Sequence, residues 1–126
     1  MEEINQEPVL GRSDSIPSTQ IDTFPVEGPI ELVHFRSSEL TAVCPVTNQP
    51  DFYTIAISYS PELICVETKS LKLFLRTFEG VGIFAEHLAP MIADHLGEAV
   101  KVPVTVILEQ QTRGGIVTTV TSISHK

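Results

Sequence analysis

The chain has 126 residues, which suffices for one domain and is too short for two ordinary cores. Hydrophobic residues make up 42% of it, and a domain of this size leaves much of its surface uncovered, which favours self-association. The formal net charge of −8 repels phosphate backbones, so direct nucleic-acid binding is not expected.

Apolar runs and the N-terminus indicate a cytoplasmic protein. No run approaches the roughly 20 apolar residues that span a bilayer, so no membrane association is expected. The acidic start, with Glu2, Glu3 and Glu7, lacks the basic and apolar regions of a signal peptide. Thiols stay reduced in the cytoplasm, so Cys44 and Cys65 favour free thiols over a disulfide.

Residues 1–28 are predicted to form a flexible leader. This segment is polar, rich in Ser and Pro, and shows little periodicity. A short docked stretch is considered around residues 21–24. Ordered structure is expected to begin near Ile30, within a single domain spanning residues 29–126.

Three stretches that follow have strand character. Residues 30–36, continued by 40–43, lead into a proline-bounded turn at 45–50. Residues 51–59 are rich in β-branched and aromatic side chains, and 63–66 form a further short strand.

Apolar spacing becomes helical at Ser70. Four apolar residues at i, i+3, i+4 and i+7 predict an amphipathic stripe; they are Leu71, Phe74, Leu75 and Phe78. Thr68 or Ser70 is the expected helix cap. A second helix is predicted from about Ile83 to Leu96, in which Pro90 implies a kink or a late start.

The last part of the chain has the pattern of a β-hairpin. Two β-branched runs, Val102–Leu108 and Ile116–Ile123, are joined by residues 109–115, which include two glycines. Strands, then helices, then strands predict an α+β fold in which an antiparallel sheet carries two helices on one face.

Cys44 is the candidate nucleophile. It follows a strand and opens a turn, where a partly exposed thiol can face a cleft and have its pKa lowered. Cys65 lies in an apolar run and suits a small buried residue. Asp51, seven positions after Cys44, can fold back beside the thiol and transfer a proton. An ordinary strand-end aspartate is the alternative.

A cationic face is predicted on the first helix. Lys69, Lys72 and Arg76 fall at i, i+3 and i+7, which concentrates three of the eight basic residues of an acidic chain. This pattern favours an anionic ligand such as a nucleotide phosphate. A solvated helix face accounts for the charge equally well.

Glu86, near the start of the second helix, can complement the helix dipole or accept paired N–H bonds from a guanine-like edge. His87 and His95 have no third ligand beside them, so no metal site is predicted.

Two motifs resemble those of the NADPH-dependent 7-cyano-7-deazaguanine reductases, the nitrile reductases of queuosine synthesis. They are Cys-Pro-Val-Thr at 44–47 with Gln-Pro-Asp at 49–51, and Glu-Thr-Lys-Ser-Leu-Lys-Leu-Phe at 67–74. Phe-Ala-Glu at 84–86 and Arg-Gly-Gly-Ile at 113–116 lie where the family carries a third motif and a late hairpin. The resemblance covers about residues 30–124, and its joint spacing is specific.

The resemblance implies a reaction and a set of roles. Cys44 would form a covalent thioimide with the nitrile carbon, and Asp51 would give and take the proton. The residues implied to hold the deazapurine substrate are Val66, Glu67, Thr68 and Glu86. The residues implied to bind NADPH are Lys69, Ser70 and Lys72. Two hydride transfers would then give the aminomethyl product.

The resemblance also implies the tunnelling fold (T-fold), in which sheets of several subunits join into a barrel. A homo-oligomer of pentamer rings, or a decamer, is therefore expected. The chain departs from the family at Ala85, where the third motif usually has histidine, and mildly at Thr68.

Three other functions remain to be compared. Amidinotransferase-like relatives share the Cys/Asp pair and form an amidine on nucleic acid, but they lack the Glu-x-Lys-Ser-x-Lys segment. A catalytically silent binding module with the same fold is a second alternative. A GTP cyclohydrolase is disfavoured, because the expected His/Cys zinc ligands are missing.

Overall fold

The computed structural model describes residues 8–9 and 14–125. The strands are β1 (Thr23–Pro25), β2 (Val33–Val43), β3 (Pro50–Tyr59), β4 (Ile64–Val66), β5 (Thr105–Arg113) and β6 (Ile116–Ile123). The helices are α1 (Thr68–Leu75), continued by a 3-10 turn (Arg76–Phe78), and α2 (Ala85–Val100). Within these residues no helix has both the length and the apolar character needed to cross a membrane.

An antiparallel sheet of four strands, in the order β2-β3-β5-β6, forms the centre of the fold. Alternate residues of β3 are buried, as the two-residue period of a strand with one covered face requires. Ile55 pairs with Leu108 and Ile57 with Val106, so the buried face continues into β5. Both helices contribute to the core on this face. The predicted α+β architecture is therefore confirmed.

The predicted stripe of the first helix is confirmed, because all four of its apolar side chains are buried. The predicted cap is wrong. The helix begins at Thr68, so the preceding Glu67 takes the cap position, and its carboxylate accepts the N–H groups of Lys69 and Ser70 at 2.9 and 2.8 Å. Phe78 lies in the 3-10 turn beyond α1.

The second helix is longer than predicted. It begins at Ala85 and runs to Val100, with Pro90 inside it. A proline removes one helical hydrogen bond, and the apolar face that flanks it is fully buried, which holds the helix together. Lys101 ends the helix in the left-handed region, with a φ of 65°.

Part of the predicted leader is docked against the domain. β1 pairs with β4, and Thr23 lies opposite Val66. The backbone N–H of Asp22 donates to the Ser70 hydroxyl at 2.9 Å, and the Thr19 carbonyl lies 2.6 Å from a ring nitrogen of His95. Ordered structure thus begins before Ile30, through contacts that only the folded sheet provides. The rest of the predicted leader, residues 1–7 and 10–13, lies outside the described residues.

The last hairpin is tighter than predicted. β5 continues to Arg113, and only Gly114 and Gly115, with φ values of 55° and 76°, form the turn. Positive φ at both positions suits glycine and a two-residue turn. The predicted loop at 109–115 is wrong, because its polar residues belong to an exposed strand rather than to a loop. The longer strand carries Arg113 to the start of β3.

Candidate active site

Cys44 lies in the turn between β2 and β3. Its N–H donates to the Gln49 carbonyl, and its own carbonyl accepts the Asn48 N–H, both at 2.8 Å. Asn48 has a φ of 61°, a conformation that Asn tolerates better than most residues. The closed turn leaves the Cys44 side chain partly exposed, whereas Cys65 is buried in β4. Both cysteines are free.

The turn also stabilises the thiolate form of Cys44. The hydroxyl of Thr47 hydrogen-bonds to the sulfur and lowers its pKa, and the backbone N–H groups of Thr47 and Val46 act in the same direction. Slight burial and the negative charge of Asp51 oppose this, but the net pKa of Cys44 is below its ordinary value. Because the thiolate is the nucleophilic form, the turn prepares Cys44 for covalent chemistry.

We expect Thr47→Val to raise the pKa of Cys44, because valine keeps the shape and the backbone N–H but loses the hydroxyl. The thiolate fraction at neutral pH then falls, and alkylation by iodoacetamide slows several-fold while its pH–rate curve moves to higher pH. Site-resolved mass spectrometry measures this rate. Thr47→Ser keeps the hydroxyl and serves as the control. Identical pH–rate curves for the valine variant and the unmodified protein would contradict this account.

Asp51 is the second residue of β3, lies on the covered face of the sheet and is only 3% exposed. A guanidinium nitrogen of Arg113 lies 2.7 Å from its Oδ1 and also donates to the Pro50 carbonyl at 2.7 Å. This ion pair connects the end of β5 to the start of β3. Since the charge of Asp51 also acts on the Cys44 thiol, the two predicted catalytic residues lie in one electrostatic neighbourhood.

The segment before α2 is held against the Cys44 turn. Val43 donates to the Val81 carbonyl at 2.9 Å and accepts from the Ile83 N–H at 3.1 Å. Gly82 packs against this turn, and a Cβ there would meet the Cα of Pro45 at 3.4 Å. Glu86 follows in the first turn of α2 with its side chain exposed.

Tyr53 lies among all of these charged groups. It shares the covered face of β3 with Asp51, two positions along the strand. Burial raises its pKa to about 12, with smaller contributions from Asp51, Glu86 and Cys44, while Arg113 lowers it. The phenol therefore stays protonated at neutral pH and serves as a hydrogen-bond donor.

The third predicted motif contributes its carboxylate but not a histidine. Ala85 is buried in the core at the first position of α2. His87 is exposed, with its ring 6.1 Å from that of Phe84. Among the described residues no group of three potential metal ligands comes together.

Several residues of the second motif hold the fold within the chain. Ser70 is fully buried, and its hydroxyl donates to the Glu67 carbonyl at 2.8 Å. Val66 is buried in β4, and its N–H donates to the Tyr59 hydroxyl at 2.8 Å. Glu67 caps α1 with both carboxylate oxygens. Thr68 and Lys72 are exposed, whereas Lys69 is half-buried.

A cleft with a volume of about 200 Å³ lies between α1 and β2. Thr68, Lys72 and Arg76 line it at one-turn intervals, and its other walls include Ile55 and Leu71. Cys44 and Asp51 do not line this cleft. The donor set suits an anionic group on an apolar surface, and the volume suits a fragment of a dinucleotide rather than the whole.

Three neighbours of the thiol and carboxylate were not among the predicted site residues. They are Thr47, Tyr53 and Arg113. Strand periodicity places Tyr53 on the same face as Asp51, so the sequence held a signal for it. The position of Arg113 could not be predicted, because the polar residues at the end of β5 were predicted to form a loop and not a strand.

Comparisons with known proteins show which family this chain is similar to. Residues 50–126 match a family described as QueF-like protein. NADPH-dependent 7-cyano-7-deazaguanine reductase from Frankia casuarinae is 43% identical over 108 residues, covering 85% of this chain and 86% of the relative. The enzymes of that name from Alkalilimnicola ehrlichii and Chloroherpeton thalassium are 42% and 47% identical, covering 87% and 74% of this chain and 88% and 78% of theirs.

A solved structure shares the fold. The apo form of an archaeosine synthase QueF-Like superposes with a TM-score of 0.71 at 21% identity, covering 77% of this chain and 96% of the other. At that identity the likeness establishes the T-fold alone. The sequence relatives are much closer and extend over most of both chains. The chain therefore belongs to the QueF family, the NADPH-dependent 7-cyano-7-deazaguanine reductases.

Proposed function

We propose that this protein reduces the nitrile of 7-cyano-7-deazaguanine to the aminomethyl group of 7-aminomethyl-7-deazaguanine, in the cytoplasm, as a step of queuosine synthesis. The observation that carries the proposal is the partly exposed Cys44, whose thiolate is stabilised by Thr47 and lies within the electrostatic reach of buried Asp51. The names of the relatives supply the substrate and NADPH.

The chemistry begins at the sulfur. The Asp51 carboxylate, which pairs with Arg113, first takes up a proton from solvent. The Cys44 thiolate then adds to the nitrile carbon, the C–S bond forms, and the nitrile nitrogen takes that proton from the Asp51 carboxyl group, which gives a thioimide. NADPH, when bound, supplies the two hydrides that the conversion of a nitrile to an amine requires. Collapse after the first reduction releases the Cys44 thiolate, so the sulfur is regenerated in each cycle.

The deazapurine would be oriented by Glu86 and the start of α1. A carboxylate can accept two N–H groups from the guanine-like edge, and the exposed Glu86 suits this role. Val66, Glu67 and Thr68 complete the proposed contacts. Since Val66 and Glu67 already support β4 and α1, their contribution would come through the shape and backbone of this segment.

The cationic cleft is the proposed place for part of NADPH. Lys72 lines the cleft, Lys69 lies one turn away on α1, and the buried Ser70 fixes the position of the helix. These three residues are the proposed cofactor segment, in which the lysines attract phosphate charge and Ser70 acts through the backbone.

We expect Lys69→Gln combined with Lys72→Gln to weaken NADPH binding at least about tenfold, because hydrogen bonds to charged groups carry much of phosphate affinity. Titration of NADPH fluorescence measures the dissociation constant, and nitrile-dependent loss of NADPH absorbance measures KM. Lys101→Asn, which removes a distant charge and tolerates the left-handed backbone, is the control. Equal NADPH affinity in the double variant and the control would exclude this segment.

The proposed assembly is a homo-oligomer, as pentamer rings or a decamer. The sheet ends in two long outer strands, β2 and β6, and several apolar side chains of β5 and β6 are exposed, including Ile107, Val117 and Ile123. Pairing of such edges between copies buries both the backbone groups and these side chains. Assembly would also account for the separation of the cationic cleft from Cys44, because a neighbouring subunit can bring the two together.

A coupled assay tests the proposed reaction. Incubation with the cyano substrate should consume about two NADPH per nitrile and yield the amine, while NADPH alone remains stable. A nitrile that is bound covalently without any oxidation of NADPH would contradict the reductase assignment and indicate a non-reducing reaction at the same thiol.

A further inference from the structure

Two buried polar atoms on the covered face of β3 have no hydrogen-bond partner among the described residues. They are the hydroxyl oxygen of Tyr53 and Oδ1 of Asp51. Both residues face the covered side of β3, two positions apart. The 2.7 Å contact from Arg113 to Oδ1 is an ion pair without hydrogen-bond geometry, so it supplies charge but no aligned N–H.

Buried polar atoms are nearly always hydrogen-bonded, and an unpaired one lowers stability. Tyr59 shows that a buried tyrosine in β3 can satisfy this rule. It lies on the same face, is equally buried at 3% exposure, and its hydroxyl accepts the Val66 N–H at 2.8 Å. The hydroxyl of Tyr53 therefore differs from that of Tyr59 in its partner and not in its burial.

The two unpartnered atoms are chemically complementary. The Tyr53 phenol is a donor, because it stays protonated at neutral pH, and Asp51 Oδ1 is an acceptor. The two side chains leave the same face of the strand at positions about 6.6 Å apart, and the charge of Asp51 acts on the Tyr53 phenol, so a water molecule held between the hydroxyl and the carboxylate can bond to both. The cluster is polar enough to hold that water, since Arg113 is also present.

We propose that Tyr53 is a positioning residue, whose hydroxyl donates through one shared water to Asp51 Oδ1 and orients the carboxyl group for proton transfer to the nitrile-derived nitrogen. The proposal rests on the reductase function above. Asp51 gives up the proton as the C–S bond forms, and it regains a proton in the later steps. No bond to Tyr53 forms or breaks, and the phenol keeps its proton throughout.

The matched pair Tyr53→Phe and Tyr59→Phe tests this role. Tyr53→Phe removes a hydroxyl that no described protein group holds, so its thermal midpoint should fall much less than that of Tyr59→Phe. Tyr59→Phe leaves the Val66 N–H without its acceptor, so its midpoint should fall. Circular dichroism melts measure both. A fall for Tyr53→Phe as large as that for Tyr59→Phe would show that its hydroxyl is structural and overturn the proposal.

Kinetics provide the second readout. Tyr53→Phe should lower kcat about tenfold to a hundredfold with KM for the nitrile little changed, and it should shift the pH profile of kcat. The alkylation rate of Cys44 should not change, because Thr47 still stabilises the thiolate. Full activity in Tyr53→Phe, beside an active unmodified protein, would overturn this proposal alone. An unmodified protein that never oxidises NADPH with the nitrile would overturn the proposed function and this role together.

Discussion

Cys44→Ala should abolish covalent capture of the cyano substrate and reduce nitrile-dependent NADPH oxidation by about ten-thousand-fold or more. The sulfur forms the bond that makes the nitrile reducible, and alanine cannot replace it. The other cysteine, Cys65, is 4% exposed inside β4 and cannot reach the turn. Intact-mass measurement should therefore show an adduct on the unmodified protein and none on the variant.

Cys65→Ala is the matched control for this experiment. It removes a thiol of the same chemistry from a buried position, so the adduct should persist even if the melting temperature falls. Retention of the adduct in Cys44→Ala, or an unmodified protein whose mass never changes with the nitrile, would contradict thioimide chemistry at position 44.

Asp51→Asn should lower kcat by about a hundredfold or more, because asparagine keeps the shape of the side chain but cannot exchange the proton. The effect on the thiol has the opposite sign. The negative charge of Asp51 raises the pKa of Cys44, so its removal lowers that pKa further. Cys44 alkylation should then begin at a lower pH than in the unmodified protein, although turnover is slower.

Because Asp51→Asn should slow turnover while it favours the Cys44 thiolate, the variant distinguishes proton transfer from thiol activation. Asp94→Asn, a substitution of the same kind at a half-exposed helix position, is the control and should change neither rate. Slower alkylation in Asp51→Asn would mean that Asp51 activates the thiol, and unchanged turnover would mean that it does not transfer the proton. Either result would contradict the proposed role of Asp51.

Local patterns predicted the architecture well. The alternation in 51–59 and the helical stripe from Leu71 to Phe78 both depend on which side of one element is apolar. Apolar spacing of this kind predicts the buried face correctly, because burial of one face of an element requires apolar residues at that spacing. The helix cap at Glu67 and the length of β5 were predicted wrongly. Glu67, Thr68 and Ser70 can all cap a helix, and the polar residues of β5 suit a loop as well as an exposed strand. Only contacts with the rest of the fold select one arrangement.

The catalytic pair was proposed from a motif, and the structure adds its surroundings. The seven-residue spacing of Cys44 and Asp51 suggested a turn that returns on itself, and the β2–β3 connection has this form. Arg113 reaches Asp51 from a strand more than sixty positions away in the sequence. No local sequence pattern could predict that ion pair, because it depends on how β5 pairs with β3.

The amino-acid sequence by itself determined most elements of the fold and the family, and it supplied Cys44 as the proposed nucleophile, because periodicity and motif spacing are local properties of the chain. Only the tertiary structure decided which groups surround that nucleophile. It placed Arg113 against Asp51 and buried the Tyr53 hydroxyl on the same face of β3. Burial and charge proximity arise from long-range strand pairing, so these environments come into being only when the sheet has formed.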